Sequence, residues 1–252
     1  MVACRPCRSD VTVARYLLLH AFPFDGSMWE AVSARLRAEG HEVLAPDLRG
    51  FGGVPLGGRP ADVGVLVADA LAHMGSRPAI VVGCSMGGYV ALGIARQRPE
   101  LVAALVLVDT KASADSEPAR EHRERIAVLA ESGDDWSDGM IDGLLGVTTR
   151  RTRPHVVDQV ESALRVAPRA TVAWAQRAMA GRPDAREALA LLTAPVVVVW
   201  GEEDTMSPRA EQDIIMAAAP HARWAPLSGA GHLTPLEVPG AVAEALLGLP
   251  PA

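Results

Sequence analysis

The stretch Ala79-Ile80-Val81-Val82-Gly83-Cys84-Ser85-Met86-Gly87-Gly88-Tyr89-Val90-Ala91-Leu92-Gly93-Ile94-Ala95 decides the reading of this chain. Its apolar, β-branched opening predicts a buried strand over Ala79–Val82, and the pattern from Met86 to Arg98 predicts a helix. Between them lies Gly83-Cys84-Ser85-Met86-Gly87, a G-x-S-x-G. Small residues two before and two after the serine let the backbone turn sharply and push the hydroxyl into the open. The start of the following helix adds free N–H groups and a positive dipole end beside it. A glycine-rich turn with a bystander serine could produce the five letters alone. The strand before and the helix after turn them into a candidate nucleophile, Ser85.

A serine hydroxyl is a weak nucleophile and needs a base that a third group orients, so a histidine and a carboxylate are expected at other strand ends. The run Val196-Val197-Val198-Val199-Trp200 leads into Gly201-Glu202-Glu203-Asp204, which places Asp204 just beyond a strand. Ser228-Gly229-Ala230-Gly231-His232-Leu233 places His232 in a glycine-flanked loop ahead of the last helical pattern. Asp109, after Leu105-Val106-Leu107-Val108, also ends a strand and is the rival acid. An oxyanion needs a second N–H besides that of Met86, the residue after the serine. Phe22, in the loop His20-Ala21-Phe22-Pro23 after an apolar strand, is the candidate. His20 is read as a brace for that loop, and Asp47 and Arg49 as parts of a structural turn.

Outward from these loops, apolar runs at Tyr16–Leu19, Glu42–Ala45, Ala79–Val82, Val102–Val108 and Val196–Trp200, with a weaker edge candidate at Ala222–Pro226, lack polar alternation, as expected for strands covered on both faces. Helical patterns at Ser27–Ala38, Val63–Met74, Met86–Arg98, Pro208–Ala219 and Pro235–Leu247 alternate with them. This order predicts an α/β fold with a mostly parallel sheet flanked by helices. Residues 111–192 break the alternation: from Lys111 to Leu192 no strand-like run occurs. They read as a helical lid inserted into a core of residues 1–110 and 193–252. Trp136, Met140 and Trp174 stand there among charged residues and need an apolar surface to cover. With Leu233 beside the histidine, they are the candidate substrate-binding residues.

Composition excludes several classes. Hydrophobic residues at 49% and charged residues at 21% place the chain among globular domains and exclude collagen-like, coiled-coil and disordered types. A net charge of -6 without a basic, aromatic-interleaved stretch argues against nucleic acid and anionic membranes. Lys111 is the one lysine among 24 basic residues, a bias read as genomic composition with no functional weight. The uncharged run Ala79–Ala95 falls short of the roughly 20 residues that span a bilayer and is broken by glycines, so no membrane partner is expected. Three cysteines make no disulfide framework, no secretory signal precedes the first strand, and a cytoplasmic location is the expectation. Cys4-Arg5-Pro6-Cys7 lacks further ligands at zinc spacing and is read as a frayed terminus. No metal site or cofactor is expected: the histidines form no ligand cluster, and neither a P-loop nor a dinucleotide fingerprint is present.

The order serine, aspartate, histidine, with the His20 loop, Asp47-Leu48-Arg49-Gly50-Phe51-Gly52, the Ser85 turn, Asp109, and the Asp204 and His232 loops in sequence, resembles the α/β-hydrolase superfamily over nearly the whole chain. Within it the wording is most similar to the small cofactor-free esterases and lactonases, the branch of 3-oxoadipate enol-lactonases and pimeloyl-ester carboxylesterases. The resemblance implies Ser85, His232 and Asp204 as a catalytic triad, and the Gly-x-x-Asp turn at the family position favours Asp204 over Asp109. It also implies Phe22 and Met86 N–H as the oxyanion hole, and an ester, lactone or thioester as substrate. Two departures stand out: Ala21 replaces a usual glycine before the oxyanion residue, and few residues precede Tyr16, where relatives place a strand hairpin. A shortened edge would leave a sheet edge open to a homodimer partner. C–C bond hydrolysis or acyl transfer would use the same triad, and a ligand receptor that closes its lid with negligible turnover is the non-enzymatic alternative.

Overall fold

Leucine and valine runs without polar alternation fold here into the buried interior strands of a sheet whose two edge strands are half-buried. The computed structural model describes residues 13–249; the Cys4/Cys7 pair lies outside them. The strands are β1 Arg15–Leu19, β2 Glu42–Leu44, β3 Ala79–Cys84, β4 Val102–Val108, β5 Val196–Gly201 and β6 Arg223–Leu227. They form one sheet in the order β2-β1-β3-β4-β5-β6, and every neighbouring pair is parallel. Among the described residues no strand precedes β1. The interior strands β3 and β5 are buried along their whole length, as a parallel sheet covered on both faces requires.

Helices α1 Glu30–Ala38, α2 Val63–Met74, α3 Met86–Gln97, α4 Glu117–Ser132, α5 Met140–Leu144, α6 Val147–Thr152, α7 Pro154–Val166, α8 Arg169–Ala180, α9 Arg186–Leu191, α10 Arg209–Ala218, α11 Thr234–Glu237 and α12 Pro239–Leu247 follow in chain order. Two groups flank the sheet: α1 packs on α12, while α2, α9 and α10 gather around α3 and one another. Helices α4 to α9 fill the stretch between β4 and β5, with α4 packed on α8. No helix among the described residues is long and apolar enough to cross a membrane.

Two helical expectations change in detail. The single helix expected over Pro235–Leu247 is two, α11 and α12, broken at Val238. Pro239 has no N–H to donate and pushes the residue before it out of the helical region, and Val238 accordingly sits at φ -139° and ψ 56°. The helix expected from Ser27 begins as a 3-10 turn over Gly26–Trp29, capped by the Asp25 side chain, and becomes α-helical at Glu30.

Register places the functional loops abreast. Cys84 pairs with Val108 and Val108 with Val199, so the chain leaves β3 and β4 at one level, with the end of β5 beside them. Residues just beyond the carboxyl ends of three adjacent strands therefore meet in one crevice, where parallel α/β sheets place their ligands.

Candidate active site

Ser85 sits between β3 and α3 at φ 50° and ψ -112°. A non-glycine residue there carries roughly 1–3 kcal/mol of backbone strain and persists only where its surroundings hold it. The Ser85 N–H donates to the Val108 carbonyl at 3.0 Å, and the Thr110 hydroxyl donates to the Ser85 carbonyl at 2.7 Å, tying the turn to the end of β4. Glycine is required on both sides. A Cβ at Gly83 would run into the Gly87 carbonyl, and one at Gly87 into the Leu19 carbonyl.

His232 Nε2 lies 2.8 Å from Ser85 Oγ, and its Nδ1 lies 2.9 Å from Asp204 Oδ2. Asp204 also accepts from the N–H groups of Met206 at 2.8 Å and Ser207 at 3.0 Å, and from the Ser207 hydroxyl. Burial pushes the Asp204 carboxyl upward, but the charge of His232 and the donors from His232 and Ser207 outweigh it and hold the group below its ordinary value. Asp109 stands next to this row without touching the histidine. Its carboxylate accepts from Gly201 N–H at 2.9 Å, Thr234 N–H at 3.1 Å and the Thr234 hydroxyl at 2.6 Å. Burial first, and the Asp204 charge second, raise the Asp109 carboxyl well above its ordinary value. Cys84, one residue before the serine, is fully buried, and burial followed by the neighbouring carboxylates pushes its thiol up, so it presents no thiolate to compete with the serine.

His20 is fully buried. It accepts the Leu48 N–H at Nε2, 2.9 Å, and its Nδ1 lies 2.9 Å from the Ala21 carbonyl, an arrangement that fits the neutral Nδ1–H tautomer. Burial lowers its pKa to about 4. Phe22 follows, its ring edge-on to Trp136 at 5.8 Å and to Phe51 at 6.2 Å. Neither the Phe22 N–H nor the Met86 N–H donates to an acceptor among the described residues.

A cavity of about 220 Å³ opens onto Ser85 and His232. Phe22, Ile126, Met140, Leu144, Met179 and Met206 give it apolar walls, and Lys111, Asp115 and Arg123 give it a charged one. Of the residues expected to meet substrate, Met140 lines this cavity. Trp136 instead faces a neighbouring groove while its ring supports Phe22. Trp174 and Leu233 are absent from the lining. Trp174 donates its indole N–H to the Arg59 carbonyl at 2.9 Å and pins α8 to the loop before α2, and Leu233 is fully buried behind the histidine. Apolar character alone does not separate a residue that glues the insertion down from one that faces the cavity.

Sequence reading missed a seam that joins the insertion to the loops of Asp204 and His232. The buried Glu237 carboxylate accepts the N–H groups of Gly231 at 2.9 Å and Leu233 at 3.1 Å, on either side of His232, and that of Gly146 at 2.9 Å. Glu203, next to Asp204, accepts the Thr148 N–H at 2.8 Å, and Arg153 donates to the Gly229 carbonyl at 2.8 Å. Helix α6 is thereby fastened to both loops. The adjacency of Glu203 to Asp204 was the available signal; Glu237 carried none. Among the described residues no cluster of three or more histidine, cysteine or acidic side chains is placed to hold a metal ion.

The fold and this arrangement of loops define a hydrolase enzyme. The chain belongs to the alpha/beta hydrolase family, which it matches over residues 16–245. It is similar to a pimeloyl-[acyl-carrier protein] methyl ester esterase of Aromatoleum aromaticum, 30% identical over 229 residues that cover 86% of this chain and 90% of that one. A solved thermophilic esterase from Thermogutta terrifontis, malate bound, superposes with a TM-score of 0.87 and 34% identity over 94% of this chain and 89% of the other. The enol-lactonase from Burkholderia xenovorans shares the fold, with a TM-score of 0.82 at 21% identity over 93% and 90% of the two chains. The chain thus stands in the esterase and lactonase branch, and ester hydrolysis is its general chemistry.

Proposed function

We propose that this enzyme is a serine hydrolase that cleaves carboxylic esters through an acyl-enzyme, without a cofactor, using Ser85, His232 and Asp204 as its triad. The observation that carries the reading is the unbroken relay from Ser85 Oγ through His232, at 2.8 Å and 2.9 Å, to Asp204 Oδ2. Asp204 fixes the imidazole with its proton on Nδ1, leaving the Nε2 lone pair facing the hydroxyl. Ser85 Oγ attacks the ester carbonyl as His232 Nε2 takes its proton. The carbonyl oxygen becomes an oxyanion held by the N–H groups of Phe22 and Met86, whose lack of acceptors among the described residues supports this role. Collapse of the tetrahedral intermediate expels the alcohol, which receives the proton from His232. Water then gives its proton to His232, attacks the acyl-enzyme and releases the acid, and Ser85 recovers its hydrogen.

Lactones and thioesters present the same electrophilic carbonyl and fall within the same chemistry. Residues 111–192 act as the lid over the core of residues 1–110 and 193–252, a role supported by the cavity walls that Met140, Leu144 and Met179 supply. The relatives named above are called a methyl ester esterase, an esterase and an enol-lactonase, which supports an ester in preference to a C–C bond. A fluorophosphonate probe should modify Ser85, and Ser85→Ala should lose ester hydrolysis by several orders of magnitude while keeping its circular dichroism spectrum. Retained turnover in that variant, or labelling at another residue, sinks the proposal.

A further inference from the structure

Glu237 closes the single turn of α11 and is buried, yet the steps of ester cleavage give it no task. Its carboxylate meets backbone alone. Oε1 accepts the N–H groups of Gly231 at 2.9 Å and Leu233 at 3.1 Å, and Oε2 accepts that of Gly231 at 3.0 Å and that of Gly146 at 2.9 Å. The Glu237 N–H donates in turn to the Leu233 carbonyl at 2.9 Å, so Leu233 is held at both of its backbone polar groups. Among the described residues no arginine, lysine or histidine side chain pairs with this carboxylate.

A carboxylate taken out of water costs free energy that an apolar side chain of similar size would not, so filling space does not account for it. Its donors do. Gly231 and Leu233 bracket His232, which leaves the backbone on either side of the imidazole fixed to one rigid acceptor. The third donor belongs to the insertion: Gly146 follows α5, whose Met140 and Leu144 line the catalytic cavity. Here the two backbones pass without room for a side chain, and a Cβ on either Gly146 or Gly231 would run into the nitrogen of the other. The loop of His232 is thus fastened on one side to its own turn and on the other to the cavity wall.

We infer that Glu237 is a positioning residue of the reaction: its carboxylate sets the place of His232 through the N–H groups on either side and ties that place to the cavity wall through Gly146. The base and the wall against which the ester lies then keep one spacing. Proton transfer from Ser85 depends on that spacing, while the affinity for ester does not. This rests on the serine-hydrolase reading and adds to its triad a residue that acts through the base without touching substrate.

The test is Glu237→Gln, made in the wild type and in His232→Ala, with p-nitrophenyl acetate as substrate. Glutamine keeps the shape but turns one acceptor oxygen into a donor, so either the Leu233 or the Gly146 N–H faces an NH2 group whichever way the amide lies. In the wild type kcat should fall roughly 10- to 100-fold, the size of a misplacement of about 1 Å, with KM within about twofold. The hydrolysis that remains in His232→Ala comes from the oxyanion donors and from binding and does not depend on where an imidazole stands, so Glu237→Gln should change it by less than about twofold. A residue that merely holds the fold together would lower both rates alike. Melting temperatures establish that the proteins assayed are folded. Glu237→Asp, which draws both oxygens back by one methylene, and Gly146→Ala, which sets a Cβ against Gly231, carry the same comparison if Glu237→Gln does not fold. An unmoved kcat, a loss seen only in KM, or equal losses in the two backgrounds overturns the inference alone. Full turnover by His232→Ala itself would remove the underlying reading as well.

Discussion

Asp109 and Asp204 leave the carboxyl ends of neighbouring strands, both are nearly inaccessible to solvent, and either could serve a histidine, yet their surroundings drive them apart. Asp204 faces His232 and collects donors from its own turn, which keeps it charged. Asp109 faces backbone: it joins Gly201, at the end of β5, to Thr234, at the start of α11, and its carboxyl titrates upward beside the Asp204 charge. The pair teaches that position at a strand end creates candidates, while the partner each carboxylate meets decides its work. In the proposed triad Asp204 orients the base, while Asp109 ties together the two loops that carry Asp204 and His232.

The sharpest way to break this contrast is Asp204→Asn. It puts an amide where an acceptor must receive the Nδ1 proton, favours the wrong imidazole tautomer and should lower kcat by about 10⁴-fold. Its melting temperature should move much less than its rate. If Asp109→Asn gives an equal loss of kcat with Asp204→Asn nearly active, the triad acid belongs at Asp109.

Asp109→Asn is the second test, and stability is its main readout. An amide can accept through one oxygen only, so at least one of the Gly201 and Thr234 N–H groups loses its partner in a buried site, a cost of about 1–3 kcal/mol. Chemical denaturation should show that loss, and kcat should fall by tens of fold at most, through looser placement of His232. Unchanged stability would remove the bracing role.

These loops were readable in the sequence because short-range chemistry writes them. Gly83 is forced by a backbone contact within the same turn; Gly87, though its contact is with the distant Leu19 carbonyl, belongs to the same short motif; and Asp204 and His232 follow motifs whose spacing survives on its own. The strands read well for a similar reason: β-branched and leucine runs must be buried on both faces. Residues 111–192 read poorly. Trp136, Met140 and Trp174 share an apolar character, and only the packing of α4, α5 and α8 decides that Met140 meets the cavity while Trp174 reaches the Arg59 carbonyl. Glu237 illustrates the same limit, since its partners include Gly146, far away in the chain and invisible to any local pattern.

The pH dependence of stability sharpens the comparison further, because the two carboxylates act with opposite sign on opposite sides of the ordinary carboxylate value. The Asp204 carboxyl is depressed in the fold, so the unfolded chain binds its proton first as pH falls. Its contribution is complete above about pH 3.9 and is lost on further acidification. The Asp109 carboxyl is raised, so the folded chain retains a proton that the unfolded chain releases, and stability from this group declines as pH rises above about 3.9. Urea melts at successive pH values should show the wild type losing ground to Asp109→Asn as pH rises above 4. Against Asp204→Asn the wild type should lose ground as pH falls below 4. Parallel trends for the two variants would contradict the opposite environments assigned to them.

The smallest effect is expected from Thr234→Val, which removes one donor from Asp109 and leaves Asp204 untouched. The Thr234 hydroxyl lies 2.6 Å from Asp109 Oδ2, in a side chain with no solvent exposure, while the backbone N–H of the same residue keeps its own bond at 3.1 Å. Valine fills nearly the same volume, so the change isolates a hydrogen bond to a carboxyl group that still has two N–H donors. A loss of about 1 kcal/mol in urea denaturation is the expected size, with kcat within about twofold of the wild type. Removing this donor should also raise the Asp109 carboxyl further, since the hydroxyl favours its charged form. The decline in stability above pH 4 should then extend to higher pH than in the wild type. A loss of kcat approaching that of Asp204→Asn, with stability intact, would mean that Asp109 and Thr234 act on His232 during turnover, and the division of labour between the two carboxylates would have to be redrawn.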